Sequence, residues 1–284
     1  MTIRSKQSPS NTERSWGNCY RLIATEKWKA KSAVMGKAVT ETLVEYAAPR
    51  PGMRVLDLAS GTGEPAISLA ARVGTEGRVT ALDLSADLLE ITKGRALERG
   101  LANLTTEQAD AHALPFADNG FDLATSRFGV MFFRDIGLAM RELLRVLRPQ
   151  ARACLLAWGS FDQPYWKSMM GVVHRLVGGC LLEAGGPDPF RFAAPGSLAR
   201  ELEAAGFRNV EEETRTVPWT WPGTPEEVWE QARAVAVPFR PLLDRVPADR
   251  WPQVHAEVHA AIGRYVHGEN IEFGASVVLA SGSK

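Results

Sequence analysis

The feature that most constrains this chain is the stretch Val55–Ala66, VLDLASGTGEPA, where an apolar run passes through a glycine-rich turn into a helix start. The run at 53–59 reads as a buried strand and 65–72 as the helix that follows. The same alternation continues downstream. Runs at 78–84, 104–109, 121–126 and 151–158 read as further strands, and 86–99 and 137–147 as helices. In the last helix Met140, Leu143, Leu144 and Leu147 recur at i, i+3, i+4 and i+7, which puts them on one face. Gly100 and Pro149 punctuate the ends. Strands alternating with helices imply parallel βαβ units and an open sheet covered on both faces.

The second half is less regular. A helical piece over 166–182 lies among prolines, glycines and aromatics at 160–196. A helix over 197–205 has Leu198, Leu202 and Ala205 on one face, and 209–219 reads as a sixth strand. The segment 224–267 reads as helices interrupted by prolines, and 273–280 as a final strand.

Composition excludes several classes. Lys+Arg and Asp+Glu both number 33, so the formal net charge is zero, without the basic excess of a nucleic-acid binder. Cys19, Cys154 and Cys180 are too scattered for a zinc site, so no metal is expected, and free thiols suit the cytoplasm. Residues 1–15 are polar and do not read as a signal peptide. The longest apolar runs are too short to span a bilayer.

The glycine-rich turn carries the chemistry. Without a Cβ, Gly61 and Gly63 let the backbone turn tightly and approach a ligand, and the helix start behind them offers free N–H groups to a carboxylate. Asp83 ends the second strand, where an acid can accept from both hydroxyls of a ribose. Asp110 ends the third, where an acid can accept from an adenine amino group. All these residues fall at the carboxyl ends of strands, where open α/β sheets bind ligands.

These motifs carry a resemblance. Arg54 to Trp158 resembles the class I S-adenosylmethionine-dependent methyltransferases, nearest the branch of ubiquinone and menaquinone C-methyltransferases. The family's acid-x-Gly-x-Gly-x-Gly is matched at Asp57, Gly61 and Gly63, with Ala59 in place of the first glycine. The acid after the second strand is matched within ALDLS, and DAHALPFADNGFD matches DAxxLPFxDxxFD. The family's LKPGG turn becomes Leu147-Arg148-Pro149-Gln150-Ala151, which loses both glycines and predicts a reshaped turn. The resemblance implies a Rossmann-like α/β fold: a seven-stranded, doubly wound, mostly parallel sheet with helical cap insertions. It implies S-adenosyl-L-methionine as cofactor, held by Tyr20, Asp57, Ala59, Ser60, Gly61, Gly63, Asp83, Leu84, Asp110, Ala111 and Arg127.

The organisation expected is a flexible tail over 1–15 and one domain over 16–284. Within it, 16–48 forms a helical lid and 49–159 the cofactor-binding core. Cap inserts at 160–196 and 220–270 lie over the carboxyl ends of the strands, and 197–219 and 271–284 complete the sheet.

The acceptor is expected to be a small apolar or aromatic molecule methylated on O, N or C. Phe128 and Met131 follow the fourth strand, and Trp166, Met169 and Met170 offer apolar surface in the first insert. Trp16 and Tyr20 suit either a lid or simple packing, whereas Trp28 suits packing. No catalytic base is evident; His174 is the one candidate, by its place in the insert. His255 and His259 share a helix face but lack a third ligand. The alternatives are a quinone-precursor C-methyltransferase and a non-catalytic S-adenosylmethionine-binding module. The SRFG after the fourth strand lacks the Asn/Asp-Pro-Pro-aromatic pattern of nucleic-acid methyltransferases.

Overall fold

The computed structural model describes residues 28–284. Helix α1 (Lys29–Ala47) leads into β1 (Arg54–Leu58), α2 (Ala66–Val73), β2 (Arg78–Asp83), α3 (Ala86–Glu98), β3 (Leu104–Gln108), β4 (Phe121–Arg127), α4 (Ile136–Val146) and β5 (Leu147–Trp158). The chain continues through α5 (Pro164–Trp166), a π-helical turn at Lys167–Gly171, α6 (Val172–Val177), α7 (Ser197–Ala205) and β6 (Arg208–Pro222). Helices α8 (Pro225–Val235), α9 (Arg240–Asp244) and α10 (Trp251–Gly263) precede β7 (Val266–His267) and β8 (Asn270–Ser283).

The sheet order is β3-β2-β1-β4-β5-β8-β6, with β7 paired to β8. Strands β1 to β5 are parallel, and β8 inserts antiparallel between β5 and β6. The order reverses beside β1, so the crevice opens at the carboxyl ends of β1 and β4. Central β1 (RVLDL) is buried after its first residue because helices cover both faces, while edge strand β3 (LTTEQ) is polar and partly exposed.

Two expectations are revised. The sheet has an eighth strand, β7, whose two residues are too few to leave a periodic signal. Strand β5 starts at Leu147, not 151, because Gln150 takes the left-handed conformation (φ 67°) that a glycine would ordinarily supply in that turn. Of the segment 16–48, read as a lid, the described part forms α1, which lies along the sheet against β5 and β6 and buries Met35, Val39, Leu43, Val44 and Ala47. Its start is pinned to the second insert by Trp28 against Trp221 (centroids 5.6 Å) and by Lys31 Nζ to Glu227 at 2.6 Å.

Candidate functional site

The glycine-rich loop between β1 and α2 is held in place by its neighbours. The Gly61 amide donates to Asp83 at 2.9 Å, and Gly63 donates to the Ser60 carbonyl at 2.9 Å. From α3, Thr92 donates to the Gly61 carbonyl at 3.0 Å, and Arg95 to the Thr62 carbonyl at 2.8 Å. Gly61 (φ 56°) faces open space, whereas a Cβ on Gly63 (φ 110°) would come within 2.8 Å of Ile67. The first glycine therefore leaves room for a ligand, and the second serves close packing. Ala59 also adopts a left-handed conformation (φ 52°), which explains why a glycine suits that position.

Two polar atoms of this loop are buried with no hydrogen-bond partner: Asp57 Oδ2 and Ser60 Oγ. Asp57 is fully buried, and its Oδ1 accepts from the Thr125 hydroxyl at 2.7 Å. Burial pushes its carboxyl up to about 7, against the opposing pull of that hydroxyl and of the Arg127 charge.

At the end of β2 the Asp83 carboxylate accepts from Gly61 N through one oxygen and from Ser85 N through the other, each at 2.9 Å. Burial raises its pKa and these amides oppose the rise. Next to it Leu84 is left 46% exposed, an apolar surface without cover beside the loop. At the end of β3 Asp110 uses Oδ1 for both the backbone amide and Nδ1 of His112. His112 Nε2 accepts from the Asp135 amide at 3.1 Å, so the ring proton is assigned to Nδ1. Oδ2 of Asp110 takes no part in this pairing. Ala111 is buried behind it.

The rest of the DAHALPFADNGFD motif is a structural clamp. Arg145 of α4 donates to the carbonyls of Leu114 (2.9 Å) and Phe116 (2.7 Å) and to Asp118 (2.8 Å). Asp122 accepts from the Arg54 amide at 2.8 Å and pairs with Arg148.

Strand β4 ends beside the loop. Arg127 donates to Thr40 Oγ1 of α1 at 2.7 Å, tying that helix to the site. Phe128 takes a left-handed conformation (φ 58°), uncommon for an aromatic residue, and its ring stacks on Trp158 at 4.3 Å. A Cβ on Gly129 would lie 2.5 Å from Ala59 Cβ, so this turn rests directly on the glycine-rich loop. Beyond Trp158 an aromatic cluster continues through Tyr165, Trp166 and Trp219 to Phe190 and Phe239.

The expected residues therefore divide. Asp57, Ala59, Ser60, Gly61, Gly63, Asp83, Leu84, Asp110, Ala111 and Arg127 gather around the carboxyl ends of β1 to β4. Phe128 and Trp166 join the aromatic cluster. Met131, Met169 and Met170 are buried, the last two fully, so a ligand would reach them only by displacing neighbours. His174 donates from Nε2 to the Gly179 carbonyl at 2.8 Å, closing the turn after α6 and leaving Nδ1 as the ring's acceptor. His255 accepts from Trp229 at 2.9 Å. Trp16 and Tyr20 lie outside the described residues. The sequence reading missed Thr125, the His112 relay and the Trp158–Trp219 contact. Thr125 could have been noticed as a hydroxyl within an apolar strand; Trp219 is joined to the site only by sheet order.

Residues 32–173 match the model of the ubiE/COQ5 methyltransferase family. A ubiquinone/menaquinone biosynthesis C-methyltransferase UbiE of Shewanella sediminis is 40% identical over 122 residues, 43% of this chain and 47% of that protein. The one from Idiomarina loihiensis is 32% identical over 187 residues, 61% of this chain and 73% of that protein. For the first of these, the match spans about half the length of the curated relative. Among solved structures, a Haemonchus contortus phosphoethanolamine N-methyltransferase 2 superposes with a TM-score of 0.58 at 16% identity, covering 97% of this chain and 60% of that one. That likeness shows the α/β fold. With half of its length matched by the family model, the chain belongs to the ubiE/COQ5 methyltransferase family.

Proposed function

We propose that this protein transfers a methyl group from S-adenosylmethionine to a small apolar or aromatic acceptor. The observation that carries the reading is the set of unfinished hydrogen bonds around the glycine-rich loop. Asp57 Oδ2 and Ser60 Oγ are buried without partners, and the space over Gly61 is open. Buried polar atoms are rarely left in this state. A cationic amino-acid end satisfies an acidic acceptor there, Asp83 keeps lone pairs for ribose hydroxyls, and Leu84 offers an apolar face to a base. Asp110 Oδ2 can accept from an amino group while His112 holds the carboxylate in orientation. The residues present fit the cofactor.

When bound, S-adenosylmethionine supplies a methyl group on a sulfonium, a good leaving group. The chain's part is to position: the loop and the two acids fix the cofactor, and Phe128 with Trp158 keeps water from the mouth. Positioning alone removes much of the barrier to such a displacement. His174 donates from Nε2 to a backbone carbonyl in the turn after α6, and no residue is assigned as general base.

The names of the relatives favour methylation on carbon of a quinone precursor as the particular reaction. Residues 174–284, with the insert between β6 and β8, lie outside the family match, and such variable segments suit a part in acceptor choice. Cys154 and Cys180 are unbridged, which suits the cytoplasm. Among the described residues no helix is long and apolar enough to cross a membrane. The zero net charge supports an acceptor other than nucleic acid.

Calorimetry with S-adenosylmethionine, S-adenosylhomocysteine and NAD tests the cofactor. Heat with the first two and none with NAD is the expected result. Release of S-adenosylhomocysteine in a screen of phenols, amines and quinols separates an enzyme from a binding module.

A further inference from the structure

Trp166 and Trp219 each bury an indole N–H that has no hydrogen-bond partner. Trp166 is 9% exposed and Trp219 7%, so bulk solvent does not reach either donor. Both rings meet Trp158 edge-on, with centroids at 5.4 and 5.2 Å, and both meet Tyr165, at 4.9 and 5.7 Å. Trp158 in turn stacks on Phe128, the residue that follows the end of β4 beside the glycine-rich loop. The two donors thus belong to one aromatic cluster that begins at the cofactor loop. Trp219 lies beyond the residues matched by the family model.

We propose that Trp166 and Trp219 are the anchoring donors of the acceptor subsite, taking an oxygen-bearing planar ring between the aromatic faces. This rests on the methyl-transfer reading. An indole nitrogen donates and does not accept, so only a group with lone pairs completes these two atoms. A carbonyl, phenolic or ether oxygen does so; a protonated amine, which has no lone pair, does not. A plain hydrocarbon ring would stack but leave both N–H groups unmet. A site built around unpaired buried donors discriminates strongly against ligands that lack the matching acceptor. Trp166 is followed directly by the π-helical turn at Lys167–Gly171, a helix irregularity frequent at functional sites.

The test uses the full chain saturated with S-adenosylhomocysteine and labelled with 15N at indole nitrogen. The probes are 1,4-naphthoquinone, naphthalene and protonated 1-naphthylmethylamine. The indole signals of Trp166 and Trp219, assigned through Trp166→Phe and Trp219→Phe or by through-space contacts in the wild type, should move downfield with naphthoquinone only. Each folded Phe variant should bind naphthoquinone at least fivefold more weakly, with naphthalene affinity changed less than twofold. The proposal is overturned if naphthoquinone does not bind, if both signals stay in place, or if they move alike with naphthalene or the amine. Failure of S-adenosylhomocysteine to bind at the outset would instead overturn the methyltransferase reading.

Discussion

Thr125 on β4 donates its hydroxyl to Asp57 on β1 across 2.7 Å, between positions that are register partners in the sheet, and the second carboxylate oxygen is left buried and unmet. Burial raises this carboxyl from 3.8 to about 7. A raised folded-state pKa means that folding favours the protonated form. The stabilisation is full below about pH 4 and is lost as pH rises to about 7. The ligand-free protein should therefore be less stable to urea at pH 8 than at pH 5. Asp57→Asn should remove most of that difference, and affinity for cationic S-adenosylmethionine should strengthen through the same range only in the wild type. A wild-type stability that is flat from pH 5 to 8 would show that Asp57 is ionised throughout.

Asp83 joins two tasks. It holds the amides of Gly61 and Ser85, and it is placed to accept ribose hydroxyls. Charge-assisted bonds contribute about 1.5–3 kcal/mol each. Asp83→Ala should weaken S-adenosylhomocysteine binding at least tenfold by calorimetry. It should also lower the melting temperature, because the loop loses its clamp. An unchanged dissociation constant would place the ribose elsewhere.

Ala59 occupies a left-handed conformation at φ 52°. An alanine there is strained, and glycine relieves the strain while adding freedom to the unfolded chain. Ala59→Gly should be neutral to stabilising by about 1 kcal/mol in urea titration, with cofactor affinity retained. A clear loss of stability would mean that the contact of the Ala59 methyl with the Gly129 turn outweighs the strain.

Phe128 pays for a left-handed backbone to stack on Trp158. Replacing it or Trp166 by Ala should raise the acceptor KM or abolish turnover. Cofactor affinity should stay within about threefold, a difference below ~1 kcal/mol. The opposite pattern in steady-state kinetics and calorimetry, weak cofactor binding with an unchanged acceptor KM, would move the acceptor pocket away from this cluster.

The sequence by itself determined the α/β alternation, the glycine-rich loop and the acids at successive strand ends. Those features are local: a period, a turn chemistry, a residue at the end of an apolar run. It also placed Asp57, Gly61, Asp83 and Asp110 on one edge of a sheet, because parallel strands share their carboxyl side. Tertiary structure decided what depends on contacts between distant segments. Nothing local in helix α1 says what it packs against, and its buried face meets the sheet at β5 and β6. His174 reads as a base candidate from its place in the insert, and only the folded turn shows its Nε2 tied to the Gly179 carbonyl. Thr125 meets Asp57 only through strand pairing, and Trp219 meets Trp158 only because β8 inserts between β5 and β6 and carries the second half of the chain back to the site. No periodicity along the chain encodes such a meeting, because it depends on sheet order and on side-chain packing across it.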